Sequence, residues 1–191
     1  MYKVNIVVPT YNGVKFLNKM YASLKDSISP EADIKWTLTL VDDGSIDDTS
    51  QWAKANPEVR YIRSGANLGF SHACNAGAAA DPEADWILFL NNDTEPQNGF
   101  LEEMLKSTEH FTHPQIVGSK LLYANTTLIQ HAGIRFMANG YPYEYGQGKK
   151  MDDDECNRAG LVQAVTAACM LIDKNLFALI NGFDEEYING W

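Results

Sequence analysis

Apolar, β-rich runs recur along this chain at Val4–Val8, Trp36–Val41, Val59–Arg63 and Trp86–Leu90, and a helix-period stretch separates each from the next. A strand buried on both faces reads as an uninterrupted apolar run, and two parallel strands need a crossover of a dozen residues or more. The alternation therefore predicts a mostly parallel sheet sandwiched by helices, an α/β fold of Rossmann-like layout. Phe16, Leu17, Met20, Tyr21 and Leu24 fall on one helical face. Ser45 and Asp48 resemble a capping box, predicting a helix from about Ser45 to Ala55 that Asn56-Pro57 stops. A small-residue helix is expected over Phe70–Ala80, another around Phe100, Leu101, Met104 and Leu105, and a fifth strand from Ile116 to Gly118.

The second half reads differently. Leu128–Phe136 suggests short strands or a hairpin, and residues 137–160, rich in Gly, Tyr and Asp, read as a long mobile loop of the kind that serves as a lid. Gln163–Asp173 returns to a strand pattern, a helix follows over Lys174–Ile180, and Gly182-Phe183-Asp184 opens an irregular segment. A chain of 191 residues fits a single domain, residues 1–191, here divided into an alternating half, 1–120, and an irregular half, 121–191.

A net charge of -10 with no basic cluster argues against nucleic acid as a partner, while leaving room for a small anion neutralised by a cation or by backbone N–H groups. Cys74, Cys156 and Cys169 are too far apart for a CxxC zinc or disulfide framework. No apolar run approaches the roughly 20 residues of a membrane span, and the N-terminus enters Lys3–Val8 without a secretory pattern. The chain reads as soluble and cytoplasmic.

Ligands of open parallel sheets bind outside the carboxyl ends of the strands. The residues there are Pro9-Thr10-Tyr11-Asn12, Asp42-Asp43-Gly44-Ser45, Gly65–Gly69 and Asn91-Asn92-Asp93-Thr94. Neither GxGxxG nor GxxxxGK[ST] is present, so a bound phosphate must be neutralised in another way. Asp93 offers hard carboxylate oxygen to Mg²⁺ or Mn²⁺, ions that keep waters and bridge to substrate phosphates.

Five blocks, VVPTYNG at Val7–Gly13, VDDGSIDDT at Val41–Thr49, NLGFSHACNAG at Asn67–Gly77, FLNNDT at Phe89–Thr94 and GFDEEYINGW at Gly182–Trp191, together resemble the inverting family 2 glycosyltransferases of the GT-A fold, in that family's order and spacing. The NNDT variant resembles rhamnosyltransferase-like members. The resemblance implies a nucleoside-diphosphate sugar donor, UDP- or dTDP-linked, a divalent cation, and a glycan or lipid-linked acceptor used in cell-surface polysaccharide synthesis. Peripheral association with the inner face of the cytoplasmic membrane would suit such an acceptor. Residues 1–120 would then be the donor-binding half and 121–191 the acceptor side.

Residue by residue, the resemblance has Tyr11 stack on the pyrimidine, Pro9 and Thr10 shape the pocket floor, Asn12 contribute to donor binding, and Asp43 accept from the pyrimidine N3–H, with Asp42 mainly structural. Asn67 and Gly69 would make the turn beside the donor. Asn92 would contact the ribose and Asp93 would hold the metal, an amide standing where many members carry a second acid. Asp184 and Glu185 fall on the acceptor side. No catalytic base is assigned within the chain; the resemblance places it in an acidic pair beyond Trp191. A nucleotidyltransferase would need a basic Gly-rich loop after the first strand, which Pro9–Gly13 lacks. A non-catalytic nucleotide-sugar-binding module remains the alternative.

Overall fold

A computed structural model describes residues 1–109 and 115–187. The expected alternation is present as β1 (Tyr2–Thr10), α1 (Val14–Ser27), β2 (Ile34–Asp42), α2 (Thr49–Ala55), β3 (Arg60–Arg63), α3 (Phe70–Ala79), β4 (Trp86–Leu90), α4 (Phe100–Thr108) and β5 (Ile116–Gly118). The chain continues through β6 (Leu121–Leu122), β7 (Ile129–His131), β8 (Ile134–Phe136), β9 (Pro142–Glu144), β10 (Cys169–Asp173) and α5 (Lys174–Leu179). One six-stranded sheet has the order β3-β2-β1-β4-β10-β5. β1, β2, β3 and β4 pair in parallel, while β10 runs antiparallel to both neighbours. The sheet is thus mostly parallel and covered by helices.

Period-two alternation divides the core between the two faces. Val4, Ile6 and Val8 of β1 join Leu38, Leu40, Leu88 and Leu171 against α1, α2 and α4. Val7 joins Val41, Ile87, Phe89 and Ile172 against α3 and α5. The small residues of α3 have a physical reason: a Cβ on Gly77 would lie 2.3 Å from Val7 and 2.9 Å from Val41, so the helix backbone sits directly on the sheet. That close approach carries a buried polar relay, in which Asn5 Nδ2 donates to the Gly77 carbonyl (2.9 Å) and Thr39 Oγ1 donates to Asn5 Oδ1 (2.7 Å). With donor and acceptor both satisfied, the fully buried amide is tolerated.

Three local expectations are revised. The Ser45–Asp48 capping box does not form: α2 begins at Thr49, Asp48 occupies its N-cap without a side-chain bond, and Ser45 is used elsewhere. Leu128–Phe136 forms short strands, one of its two expected readings, and not a hairpin: β7 pairs with β6 and β8 with β9. Residues 137–160 are not a free loop, because β9 lies within them. Gly148 N donates to the Ile129 carbonyl and Ile129 N to the Lys149 carbonyl, each at 2.8 Å, so this stretch is laced onto β7. The strand expected from Gln163 is also shorter, since only Cys169–Asp173 joins the sheet. Asp173 then caps α5 by accepting from Leu176 N at 2.9 Å.

Candidate active site at the strand ends

At the carboxyl end of β1 the chain turns sharply, with Asn12 at φ 52°, and side chains lock the turn. Asn12 N donates to Ser45 Oγ (2.9 Å) and Asn12 Oδ1 accepts from Ile46 N (2.9 Å), so the loops after β1 and β2 form one unit. Asp47 completes it by accepting from Val14 N, the first residue of α1, and from the amide and hydroxyl of Thr49, the first residue of α2. Burial opposes ionisation of Asp47, but these bonds outweigh it and hold the carboxyl below its ordinary range. Asn12 and Ser45 are therefore frame residues here.

Asp42 and Asp43, adjacent in sequence, have separate uses. Asp42 is fully buried and accepts from Ser45 N (2.7 Å), Tyr61 Oη (2.5 Å) and Arg63 Nη1 (3.0 Å), tying the end of β2 to β3. Burial and then the bond to Asp42 push the Tyr61 phenol above its ordinary value. Asp43, also buried, accepts from Leu68 N and Gly69 N (2.8 Å to Oδ2), and Asn67 Oδ1 adds a bond from Gly69 N at 3.1 Å. The loop before α3 is thus wrapped on the Asp43 carboxylate. Gly69 at φ 99° and Gly44 at φ 80° permit that approach; a Cβ on Gly44 would lie 2.7 Å from the Ala66 backbone.

Beyond β4, Asn92 Nδ2 donates to Thr10 Oγ1 at 2.7 Å, joining the ends of β1 and β4. Gly13 covers this pair so closely that a Cβ there would lie 2.1 Å from Asn92 Nδ2 and 2.6 Å from Thr10 Oγ1. Thr94 Oγ1 donates to the Asn91 carbonyl (2.7 Å), closing the turn that presents Asp93 to solvent. Pro9 and Thr10 are buried beneath, while Tyr11 is 50% and Ile46 90% exposed. The strand ends therefore carry an exposed aromatic, a buried carboxylate and a free carboxylate over a hydrogen-bonded floor.

Among the described residues no three His, Cys, Asp or Glu side chains converge on a point that could hold a metal ion. An exposed lone carboxylate suits a cation that takes its remaining ligands from substrate phosphates and water, as Mg²⁺ does. Cys74 is fully buried and burial pushes its thiol up, and burial likewise raises Cys169 to about 11, so neither is poised as a nucleophile. Asp184 and Glu185 lie beside α3, where Glu185 Oε1 accepts from Asn75 Nδ2 at 2.9 Å. Residues 188–191 of the last sequence block lie outside the described residues.

The family model for glycosyl transferase family 2 matches residues 5–177, which span β1 to α5 and every strand end just described. The chain belongs to glycosyl transferase family 2. This family 2 chain is 27% identical over 208 residues to an N-acetylglucosaminyl-diphospho-decaprenol L-rhamnosyltransferase of Mycobacterium tuberculosis, covering 95% of this chain and 65% of that protein. It is 31% identical over 125 residues to the O-antigen biosynthesis protein RfbC of Myxococcus xanthus, covering 60% of this chain and 9% of that one.

Among solved structures, S. aureus TarS 1-349 in complex with UDP superimposes with a TM-score of 0.67 at 17% identity, over 97% of this chain and 51% of that one. The mannosyltransferase PcManGT of Pyrobaculum calidifontis, in complex with GDP-Man and Mn²⁺, superimposes with a TM-score of 0.62 at 16% identity, over 96% and 48%. The GT-A fold expected from the sequence is the fold observed. The family 2 chain spans about two thirds or less of these relatives' lengths.

The sequence blocks located the strand ends but not their wiring. The Thr10–Asn92 bond, the Asn12–Ser45–Ile46 link and the Val14–Asp47 bond all join residues more than 30 positions apart. The one available signal was compositional: short polar side chains adjoining Gly13 and Gly44 favour side-chain-to-backbone bonds in turns.

Proposed function

We propose that this chain transfers a sugar from a nucleoside-diphosphate donor, UDP- or dTDP-linked, to an acceptor hydroxyl with inversion, in the synthesis of a cell-surface polysaccharide. The observation that carries this reading is the placement of Tyr11, the buried Asp43 and the exposed Asp93 after the carboxyl ends of the neighbouring strands β1, β2 and β4. Tyr11 offers a ring face for a base. Asp43, held rigid by Leu68 N and Gly69 N, retains lone pairs for a pyrimidine N3–H. The amide of Asn92, anchored on Thr10, orients a ribose hydroxyl without adding charge beside the phosphates. Asp93 would hold Mg²⁺ or Mn²⁺, which supplies neutralisation of the diphosphate leaving group.

The Mycobacterium relative's decaprenol-linked substrate supports a lipid-linked acceptor here, and with it work at the inner face of the cytoplasmic membrane. Among the described residues no helix is long and apolar enough to cross a membrane. The general base is proposed to lie in an acidic pair following Gly182–Trp191.

Calorimetric titration of the chain with UDP and dTDP, each with and without Mn²⁺ and with GDP and ADP as controls, tests the donor site. Metal-dependent binding of pyrimidine nucleotides alone is expected. Equal binding of GDP would remove Asp43 from base recognition, a live outcome because PcManGT is seen with GDP-Man. Binding without turnover on any donor, in a protein that carries the proposed acidic pair, would favour the non-catalytic module.

A further inference from the structure

Asn75 grips the irregular segment after α5 by both main-chain groups of one residue. Its Nδ2 donates to the Phe183 carbonyl at 2.9 Å and its Oδ1 accepts from Phe183 N at 2.9 Å, so the amide pairs with that residue as a neighbouring strand would. The remaining Nδ2 hydrogen goes to Glu185 Oε1 at 2.9 Å. One turn earlier on the same helix, Ser71 Oγ donates to the Tyr187 carbonyl at 2.9 Å. The segment is shaped to receive this grip. Gly182 has φ 72°, and a Cβ there would lie 2.5 Å from Asn75 Oδ1; Phe183 is seated against Phe70, Phe89 and Phe177.

The other end of α3 is held by the donor side. Asp43 binds Leu68 N and Gly69 N, and the Gly69 carbonyl accepts from Ala73 N, so a continuous run of hydrogen bonds and helix joins Asp43 to Phe183 and Glu185. We propose that Asn75 is a positioning residue for the transfer reaction, registering Gly182–Tyr187 and the Glu185 carboxylate on α3 at a fixed place relative to the nucleotide pocket. This rests on Asp43 being a donor contact. An amide is required because a carboxylate can accept from Phe183 N but cannot donate to its carbonyl or to Glu185.

The test combines residue-resolved amide exchange with nucleotide titration on the wild-type chain, Asn75→Ala and Asn75→Asp. In the alanine variant, exchange at Phe183 N–H should quicken about ten-fold or more while melting temperature and affinity for UDP or dTDP with Mn²⁺ stay near wild type. In the wild type, nucleotide should slow exchange across residues 183–187, and Asn75→Ala should abolish that response. Asn75→Asp should restore protection at Phe183 N–H and leave the nucleotide response absent. Unchanged exchange at Phe183, a nucleotide response retained in the alanine variant, or faster exchange spread through α3 and the central strands with a lower melting temperature would each overturn the proposal. If neither UDP nor dTDP binds the wild type, the functional reading fails separately, and exchange at Phe183 still decides whether the grip exists.

Discussion

β1 runs nine residues with seven consecutive buried positions, whereas no strand between Leu121 and Glu144 exceeds three residues and most of their side chains reach solvent. The first region draws its order from a core on both faces of a sheet. The second draws it chiefly from main-chain bonds between loops, such as Ala132 N to the Tyr145 carbonyl and Tyr145 N to the Gly133 carbonyl, around a few buried groups including Ile129, Cys156 and His131. Nδ1 of His131 faces Glu144, and its Nε2 accepts from Thr166 N at 3.4 Å. A pocket hung on the sheet inherits the sheet's rigidity. A surface built from short strands can vary without disturbing it.

Core truncation probes this contrast with the largest expected effect. Phe89→Ala, at a fully buried site touching Phe177 and Phe183, should cost about 3–5 kcal/mol in chemical denaturation. Ile129→Ala, equally buried but among loops that can collapse, should fall near the low end of its range, about 2 kcal/mol, and equal losses would mean that the two regions share one core. Next in size, Asp93→Ala should abolish metal-dependent nucleotide binding with an unchanged melting temperature; unfolding instead would make Asp93 a structural turn residue. Tyr11→Ala should weaken nucleotide binding by about 1–3 kcal/mol if its ring stacks on the base. Calorimetry showing no change would remove it from the pocket.

Titration separates the regions again. Because the Asp47 carboxyl is held below its ordinary value, it contributes stability above about pH 4 that is lost as pH falls through its folded value. Amide exchange at the starts of α1 and α2 should therefore rise on acidification before the strands open. Burial and then Glu58 push the Tyr21 phenol up to about 12, so its contribution is complete below about pH 10 and lost as pH rises toward 12. The smallest effect is expected from Lys149→Met. Its ammonium is held protonated by Glu155 and Asp153 but stands at the surface, so exchange within 149–156 should quicken with no measurable change in melting temperature.

The sequence by itself determined the alternation of elements, the burial of the strands on both faces, and the positions at which polar groups leave the strands. Burial on both faces demands continuous apolar runs, and those runs can be read from residue order alone. It also pointed to Asp42 as structural, although the reason, a bond to Tyr61 and an ion pair with Arg63, lies in the neighbouring strand. Only the tertiary structure decided that β10 returns antiparallel between β4 and β5, that Ser45 serves Asn12 rather than a helix cap, that residues 137–160 are laced to β7, and that Asn75 grips Phe183. Each of these joins groups distant along the chain. A short polar side chain has several partners of similar energy available, and the fold selects among them by bringing one within reach.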